Sequence, residues 1–185
     1  METRDCIKNR RSIRKFTDQP ISDELIIELM EAVRWSPSWA NTQTWKVIIV
    51  KDQVTKDKLI ECIPETNPAY KGILQAPVVI VLCAKQGVAG FKNGERQTVK
   101  GDWYMFDAGI ACQNLCLAAH DLGLGTVIVG GINHKKLDEL LGLPEDVKTV
   151  VVLPIGYPAK EGKAPARKEL KNFVYIDHYG KALDI

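Results

Sequence analysis

The sequence predicts one domain of mixed helix and strand spanning residues 1–185, and three observations lead there. The composition, 45% hydrophobic and 26% charged, is that of a chain that folds around a core rather than a disordered one. Three short apolar runs, "WKVIIVKD" at 45–52, "PVVIVLCA" at 77–84 and "VKTVVVLPIGYP" at 147–158, read as strands, the last two buried. Segments with helical period and recognisable ends lie between them, and no internal repeat or linker divides the chain.

The elements follow in order. Residues 3–9 read as a short helix leading into "NRRSIRKF", where Arg10, Arg11, Arg14 and Lys15 crowd around Ser12. Ser22 is placed to cap a helix over 23–35, with Asp23 and Glu24 in its first turn and Leu25, Leu29, Ala32 and Val33 as its apolar stripe. Pro37 and several small polar residues make "SPSWANTQT" (36–44) a loop. A strand at 45–52, helices near 55–63 and 68–75, and a buried strand come next. The stretch 85–101 holds four glycines and little periodicity, so it reads as a mobile segment and a candidate lid. The longest helical pattern runs from Asp102 to Leu122, apolar nearly all round in its second half, which predicts a central, buried helix. Gly123 is its expected left-handed stop, "GTVIVGGI" (125–132) a strand, and Asn133 the cap of a helix over 134–141. After the last strand the tail is polar, then weakly amphipathic in "NFVYIDHYG".

Several functions are excluded or weakened at this level. A dinucleotide loop must follow a strand and open a helix, whereas the glycines of "LGLG" (122–125) close a helix and open a strand. The net charge of +2 provides no overall field for a polyanion, so no nucleic-acid partner is expected. The N-terminus lacks an apolar signal core and the longest apolar run, 76–84, is too short for a bilayer, so the expectation is a soluble cytoplasmic protein with no membrane partner. Five cysteines in largely apolar contexts suit core positions in a reducing compartment. Cys112, Cys116 and His120 share a helix face, but they span two turns, about 12 Å at ~1.5 Å per residue, so no metal site is expected. No serine or cysteine lies in a nucleophile elbow, and no catalytic side chain is assigned.

What remains is equipment for binding an anion and a heterocycle. Arg10 and Arg14, one tight turn apart, carry guanidinium forks that match phosphate oxygens, and Ser12 adds a hydroxyl and an amide. Asn41 and Gln43 each offer a donor and an acceptor, as a ring edge with adjacent carbonyl and N–H groups requires, beside flat surface from Pro37 and Trp39. "GKAPARKE" (162–169) supplies a second basic loop with Arg167. Taken singly, these segments read first as a solvated basic face and ordinary turn chemistry.

Their order along the chain resembles the FMN-dependent nitroreductase family, through "RRSIRKF", "SPSWANTQTW", "FDAGIACQNLCLAAHDLGLGTVIVGGI" and "VVLPIGYPAKEGKAPARKE". The resemblance implies a nitroreductase-like α+β fold, a mainly antiparallel central sheet flanked by helices, and an intertwined homodimer with FMN between subunits. It implies hydride transfer from NADH or NADPH through FMN N5 to electron-poor acceptors such as nitroaromatics or quinones, in a ping-pong cycle. Arg10 and Arg167 then correspond to phosphate ligands supported by Ser12, and Arg14 to the cation at the N1/O2 edge that tunes the reduced flavin. Pro37, Ser38, Trp39, Asn41 and Gln43 would come from the partner subunit, and the backbone of Val129, Gly130 and Gly131 would face the ring. Arg11 is counted with the phosphate loop, although the resemblance gives it, like Lys15, no contact of its own. Ala69 and Gly72 stand where some longer members carry an asparagine and a lysine, with Asn67 and Lys71 nearby. One of Trp103, Tyr104 and Phe106 is expected on the substrate side. The competing readings are a flavin-binding or storage protein, a relative using reduced flavin for other chemistry, and a small nucleic-acid-binding module.

Overall fold

The computed structural model describes residues 1–183. In chain order the elements are helices α1 (Thr3–Asn9) and α2 (Asp23–Arg34), strand β1 (Trp45–Val50), helices α3 (Gln53–Ile60) and α4 (Tyr70–Gln75), and strands β2 (Val78–Lys85), β3 (Phe91–Lys92) and β4 (Glu95–Arg96). Helix α5 (Tyr104–Asp121), strand β5 (Gly125–Thr126), helix α6 (His134–Leu140) and strand β6 (Val147–Gly156) complete them. Single 3-10 turns lie at Trp39–Asn41 and Leu170–Asn172.

Side-chain alternation on β2 builds the core. Val78, Ile80, Leu82 and Ala84 point to one face of the sheet, where they meet Leu29 and Val33 of α2 and Leu115 and Cys116 of α5. Val79, Val81 and Cys83 point to the other, against Leu59 of α3, Ile73 of α4 and Leu137 of α6. Burying a large aliphatic side chain contributes about 1.5–3 kcal/mol, so a strand filled on both faces becomes the centre of the fold. The sheet order is β1-β2-β6-β5 and every pair is antiparallel, with Trp45 opposite Ala84 and Val78 opposite Ile155. This is the expected α+β arrangement with helices on both faces. No helix among the described residues is long and apolar enough to cross a membrane.

The expected caps form. Ser22 Oγ accepts from the Leu25 amide, Asn133 Oδ1 accepts from the Lys136 amide at 3.1 Å, and Gly123 takes a left-handed φ of 76°. Three expectations change. The strand after Gly123 shrinks to two residues plus one bridge between Val129 and Val152, because the chain turns away at Gly130 and Gly131. The stretch 85–101 forms a β3–β4 hairpin instead of an unstructured lid. Trp103 anchors it: its amide donates to the Ala89 carbonyl at 3.0 Å and its indole to Thr98 Oγ1 at 3.0 Å. Helix α5 is central over its second half, where no residue from Asn114 to His120 is exposed, but its first turn leaves Met105 and Phe106 more than half exposed.

The N-terminal basic loop is joined to the sheet edge. Ser12 forms a parallel bridge with Thr126, the Ile13 amide donates to the Thr126 carbonyl at 2.8 Å, and Ile13 is buried against Gly125. A Cβ at position 125 would meet Cβ and Cγ1 of Ile13 at 2.7 Å. Gly125→Ala is therefore expected to destabilise the protein by about 1–3 kcal/mol through overpacking, read as a lower urea midpoint at unchanged m-value.

Candidate functional site

Two loops distant in sequence form one cationic cleft. The Arg10 amide ends α1 by donating to the Cys6 carbonyl at 2.9 Å, after which the chain runs extended along the sheet edge. The segment after β6 pairs with it: the Thr17 amide donates to the Tyr157 carbonyl at 2.9 Å and the Ala159 amide to the Lys15 carbonyl at 3.0 Å. The pairing delivers Lys160, Lys163 and Arg167 to the far wall of a cleft of about 490 Å³ whose near wall is Arg10, Arg11, Ser12 and Arg14. Seven of its twelve lining residues are cationic and one, Glu161, is acidic. Among the described residues, none of the seven forms a salt bridge. Like charges gathered without a counter-ion are what a phosphate dianion would neutralise. Arg11 has a second task, because its Nη1 donates to the carbonyls of Lys8 at 2.6 Å and Arg10 at 2.8 Å and so closes the end of α1.

From this cleft a run of close contacts leads to the paired glycines. The Arg14 carbonyl lies over Gly72 so tightly that a Cβ there would stand 2.5 Å from its oxygen. A lysine at position 72, as in some longer relatives of the resembled family, has no room unless Arg14 moves. Ala69 is a core residue, 1% exposed. Asn67 Oδ1 accepts from the Ala69 amide at 2.9 Å, which leaves Nδ2 turned to Gly131, 3.9 Å from where its Cβ would be. Lys71 is exposed. Gly130 and Gly131 are exposed in an open groove shared with Pro64 and Asn133. Val129 differs: it is buried and exchanges both main-chain hydrogen bonds with Val152 at 2.9 Å, so of the three only the glycines leave main chain open to the groove.

Pro37, Ser38, Trp39, Asn41 and Gln43 stand elsewhere and line neither the basic cleft nor the glycine groove of their own chain. Their loop packs on the start of α5, where the Trp39 amide donates to Asp107 Oδ1 at 3.0 Å. The Trp39 ring lies 5.1 Å from Trp103, and Trp103 meets Phe106 edge-on at 5.4 Å. Together with Pro37, Ser38 and Asp107 these rings enclose a small cavity of about 220 Å³, whereas Tyr104 packs on the core. Ala40 (φ 43°), Asn41 (φ 57°) and Gln43 (φ 47°) are left-handed, a conformation costing about 1–2 kcal/mol per non-glycine residue. Strain of this kind persists only where surrounding contacts enforce it, and it concentrates at functional loops. Gln43 Nε2 donates to Asn41 Oδ1 at 3.2 Å, which orients both exposed amides.

Asp107 is the residue whose role sequence reasoning missed. A lone acid in the first turn of a helix reads as a dipole partner, and no spacing pattern ties it to a loop 68 residues earlier. The Cys112–Cys116–His120 face is also internal. Thr126 Oγ1 donates to Cys116 Sγ at 3.4 Å, and the Cys112 thiol, by hydrogen-bonding Cys116, lowers the pKa of the Cys116 thiol while both remain buried.

Comparison with known proteins supplies what geometry alone does not. The family model described as the nitroreductase family matches residues 7–157. The FMN reductase [NAD(P)H] of Bacillus subtilis is 37% identical over 174 residues, covering 86% of this chain and 67% of the relative. Iodotyrosine deiodinase 1 of Rattus norvegicus is 31% identical, covering 89% of this chain and 65% of its own length. Among solved structures, an FMN-dependent nitroreductase of Clostridium difficile superposes with a TM-score of 0.78 at 26% identity, over 94% of this chain and 98% of the other.

Proposed function

Because the chain belongs to the nitroreductase family, we propose that its 185 residues form one FMN-binding domain of an oxidoreductase that takes reducing equivalents from NADH or NADPH. The observation that carries this reading is the unpaired cationic cleft joined, through the Arg14–Gly72 contact and Asn67, to the exposed glycine pair. The residues fit the group: guanidinium forks for a phosphate at one end, and main chain without side chains for a planar ring at the other.

FMN, when bound, supplies the redox chemistry, accepting a hydride from the nicotinamide and passing reducing equivalents to an acceptor. The protein's part is to hold and tune it. Arg10 and Arg167 would grip the phosphate from opposite walls, with Ser12 between them. Arg14 would stand at the N1/O2 edge of the ring, where its charge favours the more negative, reduced form. Gly130 and Gly131 let the ring approach the main chain closely. No side chain needs to act as acid or nucleophile.

The loop carrying Pro37, Ser38, Trp39, Asn41 and Gln43 would complete the site of a second subunit. Support comes from its distance from its own chain's cleft and from the exposed apolar face of α5 beside it, Met105 and Phe106, which a homodimer would cover. Trp103 and Phe106, behind Trp39, would border the acceptor, with Tyr104 in the core. Electron-poor nitroaromatics and quinones are the proposed acceptors, exchanging with the nicotinamide over one ring face in a ping-pong cycle. The relatives' names span FMN and iodotyrosine chemistry, so the acceptor is the variable part. Five buried thiols suit a reducing, cytoplasmic setting.

The purified protein is expected to show flavin absorption bands and to oxidise NADH or NADPH when a quinone or nitro compound is added; a flavin-loaded protein without turnover would point to storage instead. Arg10→Ala should weaken FMN binding by about 1.5–3 kcal/mol, the worth of a charged hydrogen bond, measured by fluorescence titration. Arg14→Ala should retain FMN better than Arg10→Ala does but lower its two-electron potential, measured against reference dyes; an unchanged potential removes Arg14 from this role.

A further inference from the structure

Asp107 is 1% exposed in the first turn of α5, among Trp39, Trp103, Phe106 and Ile110. Burial pushes its carboxyl up from the ordinary range, opposed by the Trp39 amide and the Thr42 hydroxyl. A carboxylate sealed among aromatic rings is costly unless its oxygens have partners. Oδ1 accepts from the Trp39 amide at 3.0 Å. Oδ2 and Thr42 Oγ1 are both sealed from solvent and neither has a hydrogen-bond partner in the structure, although that hydroxyl acts on the carboxylate, so they are the two groups left to satisfy each other. One side chain therefore holds the 39–42 turn at the Trp39 amide and acts on it at Thr42.

Inside that grip are the left-handed residues Ala40 and Asn41, with Gln43 just outside. The ends of the loop are tied to the fold, Ser36 Oγ accepting from Asn114 Nδ2 and the Thr44 carbonyl from the Lys85 amide, both at 2.9 Å, but between them the other side-chain contacts are local and exposed: the Gln43 amide on Ser38 Oγ, and the Gln43–Asn41 pair. Without an anchor for the middle of the loop, three non-glycine residues would relax out of the left-handed region.

We infer that Asp107 is a positioning residue: it latches the 39–42 turn in its left-handed form and so sets where Trp39, Asn41 and Gln43 stand toward the flavin of a second subunit. The flavin part of this rests on the proposed reading of the loop. The latch itself does not, and it brings the Trp39 ring to 5.1 Å from Trp103.

The test uses that pair. Circular dichroism of the full-length apo protein reads the Trp39–Trp103 exciton couplet, identified by its loss in Trp39→Phe, and a titration reads FMN affinity. Asp107→Leu should abolish the couplet and weaken FMN binding roughly tenfold or more, as truncating a buried interface anchor does. Asp107→Asn, which keeps an acceptor for the Trp39 amide, should preserve the couplet and most of the affinity. Thr42→Val, which removes one hydroxyl and keeps the fold measurable should Asp107→Leu unfold, should weaken the couplet. A couplet intact in Asp107→Leu, or in Thr42→Val where the leucine variant unfolds, overturns the inference. A couplet lost in Asp107→Leu with FMN affinity unchanged upholds the latch and refutes the assignment of the loop to the flavin.

Discussion

The fold turns on one short pairing, the bridge between Ser12 and Thr126 with the Ile13 amide on the Thr126 carbonyl. Extended backbone alternates its side chains, so once Ile13 is buried over Gly125, Ser12 and Arg14 must face the other way. The energetics favour this arrangement despite the charges. Two unit charges about 7 Å apart in water repel by only ~0.6 kcal/mol, less with salt. Burying Ile13 contributes about 1.5–3 kcal/mol and each main-chain hydrogen bond about 1 kcal/mol. The cations are thus held together by apolar packing and backbone pairing rather than by partners of their own, and their repulsion is what a bound dianion removes.

Much of the architecture is readable because its causes are local. Ser22, Asn133 and Gly123 cap helices through contacts within a few residues, and the buried strands announce themselves by composition. The failures have non-local causes. The strand expected at 125–132 has strand composition but lacks partners beyond Val152, since Gly130 and Gly131 leave the sheet. Glycines at 85–101 suggest mobility, yet Trp103 organises the segment by receiving the chain where a Cβ on Gly90 would come within 2.5 Å of its ring. Helix α5 reads as buried from its apolar second half, which is so, but its first turn leaves Met105 and Phe106 exposed, and periodicity cannot tell a core from a surface that another copy would cover.

The candidate site follows the same division. Arg10, Ser12, Arg14 and Arg167 are recognisable by residue type, and the 10–17 and 157–160 pairing brings them into one cleft. The roles of Gly72 and Asp107 are invisible beforehand. Gly72 is fixed by the carbonyl of Arg14, 58 positions away in a different loop, and what reads as a missing lysine is room for the main chain that aims the arginine. Asp107 resembles any first-turn acid until the Trp39 amide is found on it.

A site divided in this way has a physical consequence. The cleft and the glycine pair belong to the sheet edge and the β6 side, while the aromatic loop is fastened to the opposite end of α5. Eighteen residues of helix, at ~1.5 Å each, separate that loop from Gly123 by about 27 Å. A rigid helix cannot fold its first turn back onto its own C-terminal end, so if the two segments serve one site, as proposed, they would meet across two chains. Met105 and Phe106, exposed in the first turn of α5 beside the aromatic loop, would in the proposed dimer add buried area and help set the register in which one subunit's Trp39 arrives over the other's glycines. Cofactor binding and dimerisation become linked, since FMN would contact residues that share a site only when the chains are paired, and ligand binding to the paired form alone draws the equilibrium toward it.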